Sequence, residues 1–419
     1  MTDASGQAQV PLKLLWALYT TQFIGVGFLT VGLTAILRAD GVSLSTLGLF
    51  QLFGVIWPLK ILWAPLVDRW APMRRQGHYR GWLLLLQSGM VVSLLCMAFI
   101  PHPARQIAAL GAIVALFVLL SATQDIAADA ISVRGLSGRR RDTGSSIQVS
   151  AGYVGNLVGG AGAVFVADRW GLPAAGVLLA ATTSLALVSV LHYREPRAEQ
   201  DNRAGSTPWG RDTFDLFRNR DCRRWCFVTM PLLYMGSAGA YSLVTPALGD
   251  YGFSLTQIGL ITLTVASLPA ILAGLLAGHL DAKLERRSSV VLGTIMLASG
   301  IATLQPIFGA TGASEVSPSS GSFIQAAIGV SLLLTGYTMV NVAVYTQALR
   351  FARPTRAGSD FTLLTCIPLG LSFLAGWVAL ALADGTGFWV SALAMTIVAV
   401  VGGISAWRQL GRFGSAARE

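Results

Sequence analysis

The chain is divided near its middle by residues 194–224, which read REPRAEQDNRAGSTPWGRDTFDLFRNRDCRR. This segment is polar and charged, whereas long apolar stretches fill most of the sequence on either side of it. Each stretch reaches the roughly 20 residues that an α-helix needs to cross a bilayer core of about 30 Å. Six stretches precede the segment and six follow it. The predicted spans are residues 12–37, 44–66, 81–100, 106–133, 143–167 and 172–193, then 223–247, 254–280, 288–309, 323–350, 358–383 and 387–407.

The composition agrees with an integral membrane protein. Hydrophobic residues make up 53% of the chain and charged residues 12%, against about 25% charged residues in soluble domains. The apolar stretches lack the alternating pattern of barrel strands and are too long for them. We therefore predict an all-α membrane protein with an N-terminal six-helix bundle (1–193), a cytoplasmic linker (194–222) and a C-terminal six-helix bundle (223–419).

The net charge of +10 reflects membrane topology. If the N-terminus is cytoplasmic, nearly all of the 30 lysines and arginines fall in cytoplasmic segments. The opposite loops hold Arg38, Arg105 and Arg169, and Lys60 lies within a span. This asymmetry follows the positive-inside rule and predicts that both termini are cytoplasmic. The excess of basic over acidic residues therefore gives no reason to expect nucleic acid as a partner.

Cysteine and histidine positions give little support to an enzyme. The chain has four cysteines and four histidines, which are scattered over different loops and spans, and no CxxC pair occurs among them. A metal site or a nucleophilic triad needs such residues to converge. We therefore predict no catalytic site, no metal and no cofactor.

Short sequence motifs in the first half of the chain recur in the second half at a nearly constant distance along the sequence. Asp68-Arg69 follows the second span and Asp281 follows the eighth, 213 positions later. An arginine cluster before Gly144-Ser145 recurs as Arg353 and Arg356 before Gly358-Ser359. These matches predict two related six-helix halves about an axis along the membrane normal, with a substrate cavity between them.

The motifs and the 6 + 6 layout resemble the major facilitator superfamily over almost the whole chain. Two stretches, LKILWAPLVDR (residues 59–69) and ATQDIAADA (residues 122–130), are similar to one branch of it. That branch contains muropeptide permeases, acetyl-CoA transporters and single-chain permeases for ferric siderophores of the pyochelin and rhizobactin type. The resemblance implies a secondary transporter that binds a small molecule within the lipid bilayer.

Length guides the choice among these three. Muropeptide permeases usually carry spans beyond twelve, and acetyl-CoA transporters are typically longer and eukaryotic. We therefore expect a monomeric importer of a ferric siderophore in the bacterial inner membrane, working by proton-coupled alternating access. A muropeptide permease, an exporter of a small apolar compound and a transporter-like receptor remain the alternatives.

Three ionisable residues, Lys60, Asp125 and Asp129, lie well inside predicted spans, where an isolated charge costs several kcal/mol. Asp125 and Asp129 are four residues apart and therefore share a helix face. Their depths permit a Lys60–Asp125 pair. One interpretation is a static buried ion pair. The other is a site where a carboxylate takes up and releases the coupling proton.

The resemblance also indicates gating and substrate-binding residues. Acidic and basic residues after the second and eighth spans, at the cytoplasmic ends, are predicted to act as conformational latches. The alternative is that their charge only sets the orientation of the spans in the membrane. These residues are Asp68, Arg69, Asp281 and Arg286. The first spans of each half line the cavity in this superfamily. Aromatic and amide side chains on these and nearby spans are therefore predicted to contact substrate. The alternative is that such residues pack in the core or face lipid. They are Tyr19, Gln22, Phe23, Gln124, Tyr153, Asn156, Tyr234, Tyr241, Tyr337, Asn341 and Tyr345.

Overall fold

The computed structural model describes residues 10–40, 42, 46, 50, 52–195, 215–283, 287–309 and 318–415. Within these ranges the chain is almost entirely helical and contains no strand. A helix pairs its own backbone N–H and C=O groups, which is what a chain surrounded by hydrocarbon requires. The all-α membrane fold predicted from the sequence is therefore confirmed.

The first half of the chain supplies seven helices, α1 to α7. Several segments depart from plain α-helix: π-helical turns lie at Phe28–Gly32 in α1 and at Val158–Gly162, and α2 begins and ends in 3₁₀ turns at Leu52–Val55 and Lys60–Leu62. The first five helices are α1 (Leu12–Leu37), α2 (Leu52–Leu62), α3 (Ala64–Arg69), α4 (His78–Phe99) and α5 (Ile107–Gly135).

A single glycine separates α6 from α7. Helix assignment is continuous over Arg139–His192, but Gly171 has φ 80° and ψ 171°. Glycine adopts a positive φ readily because it lacks a Cβ. The stretch is therefore two helices, α6 (139–170) and α7 (172–192), and Pro173 lies in the first turn of α7, where its missing N–H is harmless. This break is at the predicted boundary between the fifth and sixth spans.

The second half supplies α8 to α13. Asn219 caps the start of α8, because its side-chain oxygen accepts hydrogen bonds from the backbone N–H groups of Asp221 and Cys222. The helices are α8 (Arg220–Asp250), α9 (Gln257–Leu280), α10 (Ser288–Phe308), α11 (Ser320–Phe351), α12 (Ala357–Thr386) and α13 (Phe388–Gly411).

These helices account for the predicted spans. Ten stretches of the described chain are long and apolar enough to cross a bilayer by length and composition, and the break at Gly171 divides one of them. The second predicted span, 44–66, is described only in part, and most of its described residues belong to α2 and to the start of α3. Large apolar side chains on the helix surfaces, such as Phe99 at 81% and Trp377 at 68% exposure, suit contact with lipid.

The chain forms two compact units. The first comprises Met1–Ser137, Ala151–Thr213 and Phe351–Leu363, and the second comprises Gly138–Ser150, Phe214–Arg350 and Leu364–Glu419. Each unit therefore includes one short segment from the opposite half of the sequence. Those two segments are the start of α6 and the end of α11 with the start of α12. The predicted bundle boundaries at residues 193 and 223 stay a prediction.

Glycines let α1 and α6 approach closely in the first unit. A Cβ added to Gly155 would lie 2.8 Å from the Cβ of Phe23, and one added to Gly159 would lie 2.9 Å from the backbone nitrogen of Phe28. Both distances are too short for a real side chain. Membrane helices commonly pack through small residues in this way. The close contact therefore determines which side of α1 packs against α6.

Candidate functional site

A buried charge cluster lies among α1, α2 and α5 in the first unit. The Lys60 ammonium donates a hydrogen bond to Oδ2 of Asp125, and both side chains are almost completely buried, with exposures of 6% and 5%. The other oxygen of Asp125, Oδ1, has no hydrogen-bond partner among the described residues. The ion pair that the depths of Lys60 and Asp125 permitted is therefore present, and Oδ1 of Asp125 can still accept a hydrogen bond.

The second carboxylate of the cluster is held by Tyr19. The Tyr19 hydroxyl lies 2.9 Å from Oδ1 of Asp129, to which it donates, and 3.0 Å from the hydroxyl of Ser132. Tyr19 and Asp129 are each 1% exposed. Tyr19 was predicted to contact substrate, but its described contacts belong to this cluster. Its role at the substrate stays a prediction.

The charges of the cluster do not balance when all of its groups are ionised. Lys60 contributes one positive charge, whereas Asp125 and Asp129 contribute two negative charges. A net charge in a buried, low-dielectric site is expensive. Uptake of one proton by a carboxylate removes it, so the arrangement is chemically suited to bind and release a single proton.

Buried amides join α1 to its neighbours beside the cluster. Gln124 is fully buried and its Nε2 lies 3.4 Å from the backbone oxygen of Leu18. Gln87 on α4 donates to the hydroxyl of Thr21 at 3.1 Å, and Gln22 is 5% exposed. Gln22 and Gln124 were predicted to contact substrate. The described contact of Gln124 is between helices, and contact with substrate stays a prediction for both residues.

Asp68 binds the start of α12 within the first unit. Its Oδ1 accepts a hydrogen bond from the backbone N–H of Gly358 at 3.0 Å. Its Oδ2 accepts from the backbone N–H and the hydroxyl of Ser359, at 2.8 and 2.6 Å. A carboxylate at a helix N-terminus pairs with otherwise unbonded N–H groups and with the positive end of the helix dipole. We call Asp68, Gly358 and Ser359 the Asp68 latch, and the gating role of Asp68 and Arg69 stays a prediction.

Two residues that the sequence did not predict to take part in gating lie beside this contact. Tyr79 is fully buried and its hydroxyl donates to Oδ1 of Asp68 at 2.8 Å. The Arg134 guanidinium lies 4.7 Å from the centre of the Tyr79 ring, and its Nε donates to the backbone oxygen of Pro354 at 3.0 Å. A lone tyrosine near a helix start does not stand out in a sequence. The contact becomes visible only when α4, α5 and α12 are placed in space.

The second unit contains its own buried ion pair. Arg350 at the end of α11 donates to Oδ1 of Asp142 at 2.6 Å, and their side chains are 15% and 4% exposed. Close by, the hydroxyls of Ser145 and Thr346 lie 2.5 Å apart. The only hint in the sequence was that both charges lie at span ends. Of the other predicted gating residues, Arg69 is exposed, while the side chain of Asp281 and the whole of Arg286 lie outside the described residues.

Three tyrosines, Tyr234, Tyr241 and Tyr337, form the tyrosine cluster in the second unit. The rings of Tyr241 and Tyr337 are parallel within 3°, with centres 5.8 Å apart. The ring of Tyr234 lies 5.7 Å from that of Tyr337 at 48°, and the Tyr337 hydroxyl donates to the Tyr234 hydroxyl at 3.1 Å. The structure thus brings together three residues that the sequence predicted as substrate contacts.

The remaining predicted substrate contacts are distributed over α1, α6 and α11. Phe23 packs over Gly152 of α6, where an added Cβ would lie 3.3 Å from its ring. The side chains of Phe23, Tyr153, Asn156 and Tyr345 are half-buried, and Asn341 is 8% exposed. Partial exposure is compatible with a cavity lining. Their contact with substrate stays a prediction.

Comparison with known proteins identifies the fold family. The family model described as Major Facilitator Superfamily matches residues 15–366. Two similar solved structures are the human organic anion transporter MFSD10 (TETRAN), with a TM-score of 0.65 and 15% identity over 94% of this chain and 98% of that one, and the E. coli fucose:proton symporter FucP, with a TM-score of 0.63 and 14% identity over 95% and 98%. At these identities the likeness concerns the fold alone.

Curated relatives add a more specific similarity. The anhydromuropeptide permease of Escherichia coli (strain K12) is 32% identical over 276 residues, which is 64% of this chain and 55% of the relative. The putative transporter AmpG 4 of Rickettsia conorii is 22% identical over 251 residues, or 58% and 60% of the two chains. This chain thus spans little more than half the length of the curated relatives it matches.

Proposed function

Since this chain belongs to the Major Facilitator Superfamily, we propose that it is a secondary transporter that carries a muropeptide, a sugar bearing a short peptide, across the membrane. The observation that carries this proposal is the 32% identity with the anhydromuropeptide permease of E. coli. The motifs at residues 59–69 and 122–130, which pointed to the same branch of the family, support it.

Siderophore import, which the chain length favoured, receives no support from these relatives. Length constrains the number of spans but not the groups that face a ligand, so it is a poor guide to substrate. A muropeptide permease, one of the alternatives that the sequence left open, agrees better with the relatives, and we adopt it.

In this proposal the Asp68 latch stabilises one conformation of the transport cycle. Asp68 accepts hydrogen bonds from N–H groups at the N-terminus of α12, and the Tyr79 hydroxyl donates a further hydrogen bond to the same carboxylate. Hydrogen bonds to a charged group contribute about 1.5–3 kcal/mol each, so several of them hold the contact firmly until it opens as a unit. Arg350 and Asp142 supply a second contact of the same type in the other unit.

The buried charge cluster supplies the coupling site in this proposal. A proton bound to one carboxylate neutralises the cluster, and its release restores the net negative charge. Tyr19 and Ser132 retain hydrogen bonds to Asp129 or to each other in both states, because each hydroxyl can donate or accept. The alternative, a static ion pair, makes the same contacts without titrating, and measurement of gradient dependence separates the two.

Uptake by cells tests the proposed substrate. A bacterial strain that lacks its own muropeptide permease is supplied with this chain, and entry of a radiolabelled anhydromuropeptide is measured with and without a proton ionophore. We expect uptake that depends on the chain and on the proton gradient. The same cells receive an iron-loaded pyochelin-type siderophore in parallel. Siderophore uptake without muropeptide uptake would overturn the proposal in favour of siderophore import.

A further inference from the structure

We infer that the tyrosine cluster, with Asn341, is a subsite for a saccharide ring. This inference rests on the proposed function and assigns the sugar portion of the substrate to named residues of the second unit. Three observations carry it: the depth of the cluster, the geometry of its rings and one buried oxygen that lacks a donor.

Two of the three tyrosines lie at the middle of their helices, and Tyr241 lies seven residues, about two turns, beyond Tyr234 on α8. Tyr234 is near the centre of α8 (Arg220–Asp250) and Tyr337 near the centre of α11 (Ser320–Phe351). Both residues are therefore about 20 Å or more from either helix end at 1.5 Å per residue. Tyrosines that anchor a protein in the bilayer lie at the two interfaces instead. Substrate sites of transporters with repeated halves lie near the bilayer midplane, so depth favours a role in binding.

The ring geometry leaves aromatic surface available to a ligand. Carbon atoms in contact are about 3.5–4.0 Å apart, whereas the parallel rings of Tyr241 and Tyr337 have centres 5.8 Å apart. The rings are therefore offset, and each covers only part of the other. Both side chains are half-buried. A flat aromatic surface of this kind packs well against the C–H face of a sugar ring, through dispersion and removal of apolar surface from water.

A polar group at the edge of the surface requires a hydrogen-bond donor. Asn341 lies one helical turn beyond Tyr337, interacts with that side chain and is 8% exposed. Its carbonyl oxygen Oδ1 has no hydrogen-bond partner among the described residues. A buried acceptor without a donor is unfavourable, because it has lost its hydrogen bonds to water and gained none in the protein. The hydroxyl and amide groups of an amino sugar supply such donors.

Purified full-length protein in lipid nanodiscs provides the test. Binding is measured for three probes: an anhydromuropeptide, the same sugar without its peptide, and the free peptide. The variants are Tyr241→Leu and Tyr337→Leu, which remove the flat surface, Tyr241→Phe, which keeps it, and Asn341→Leu, which removes the buried acceptor. Tyr251→Leu is the matched control, because Tyr251 also stacks on a ring, that of Phe253 at 5.7 Å, but lies just past the end of α8. Thermal unfolding of each variant verifies that it is folded.

We expect both leucine variants of the cluster and Asn341→Leu to weaken binding of the peptide-free sugar by about 10-fold, and Tyr241→Phe to weaken it less than about 3-fold. Affinity for the free peptide, and all affinities of the control variant, are expected to stay unchanged. If the cluster variants retain sugar affinity, or lose peptide affinity instead, the subsite assignment is overturned. It is also overturned if the parent protein binds no peptide-free sugar.

The two proposals fail in distinguishable ways. Transport of anhydromuropeptide together with unchanged sugar affinity in the tyrosine variants removes the subsite and leaves the proposed function. Sugar binding that depends on the tyrosines, without transport of anhydromuropeptide, removes the proposed function and leaves a saccharide subsite in a transporter of another sugar compound.

Discussion

At the scale of single residues, a substitution at Asp125 tests the proposed coupling role of the buried charge cluster. One oxygen is paired with Lys60 and the other has no hydrogen-bond partner in the described chain. We expect Asp125→Asn to abolish gradient-driven uptake, because an amide cannot release a proton, while exchange of labelled for unlabelled substrate across the membrane continues. Uptake and exchange in proteoliposomes measure the two reactions.

Asp250→Asn is the matched control for this prediction. Asp250 is an exposed carboxylate at the end of α8, so its loss should leave both reactions unchanged. Full gradient-driven uptake by the Asp125→Asn variant would instead identify the cluster as a static ion pair.

Tyr79 is the second residue whose contacts suggest a function. Its hydroxyl donates to Asp68, and loss of a hydrogen bond to a charged group weakens a contact by about 1.5–3 kcal/mol. We expect Tyr79→Phe to shift the conformational equilibrium away from the latched state by roughly 10-fold or more. Distances between spin labels on α3 and α12 measure the populations.

A double-mutant cycle makes the test of Tyr79 specific. If Tyr79 acts through Asp68, then Tyr79→Phe adds little to the effect of Asp68→Asn. Fully additive shifts would show that Tyr79 acts elsewhere. Tyr193→Phe, a change at another buried tyrosine, should not alter the populations.

At the scale of helices, the contact between α1 and α6 depends on glycines, which have no side chain to separate the two helices. A methyl group on Gly155 meets Phe23 and the backbone of Ile24 at 2.8 and 2.9 Å, whereas one on Gly162 approaches nothing nearer than 3.6 Å. We expect Gly155→Ala to destabilise the protein by about 1–3 kcal/mol through overpacking, and Gly162→Ala to be neutral. Thermal unfolding in detergent compares them, and equal stabilities would contradict this account of the packing.

The pairing of α6 with α11 depends on a buried ion pair. Removing one partner of such a pair costs about 3–5 kcal/mol because the other charge stays buried. We expect Asp142→Asn and Arg350→Gln each to lower the unfolding temperature, with the double variant less affected than the sum of the two. Asp215 and Arg218 form an exposed pair whose removal should change little. Additive losses for Asp142 and Arg350 would argue against their direct coupling.

At the scale of the whole molecule, the distribution of basic residues predicts its orientation. We expect a cysteine placed at Gly138, in the loop before α6, to react with an impermeant thiol reagent only from the cytoplasmic side. A cysteine at His102, in the loop before α5, should react only from the opposite side. A background without the four native cysteines is needed. Labelling of both positions from one side would contradict the predicted topology of alternating spans.

The amino-acid sequence by itself determined that the chain lies in a lipid bilayer, that its fold is all-α and where most of its helices lie. A run of about 20 apolar residues has few stable alternatives to a membrane helix, so the pattern is decisive locally. It also placed Lys60 and Asp125 at matching depths, because rise per residue is constant within a helix. The substrate did not follow from the sequence in the same way, since chain length carries no information about the groups that face a ligand.

Only the tertiary structure decided which distant residues share a contact. Tyr79, Arg134 and Asp142 make contacts with helices that are distant from their own in the sequence. No local sequence pattern indicates which distant helices will be in contact. The same holds for Tyr19, whose place on α1 suggested a cavity but whose hydroxyl is directed to Asp129. Periodicity specifies a helix and its faces. Which neighbour each face meets is set by side-chain packing among all helices together, and that is a property of the folded molecule.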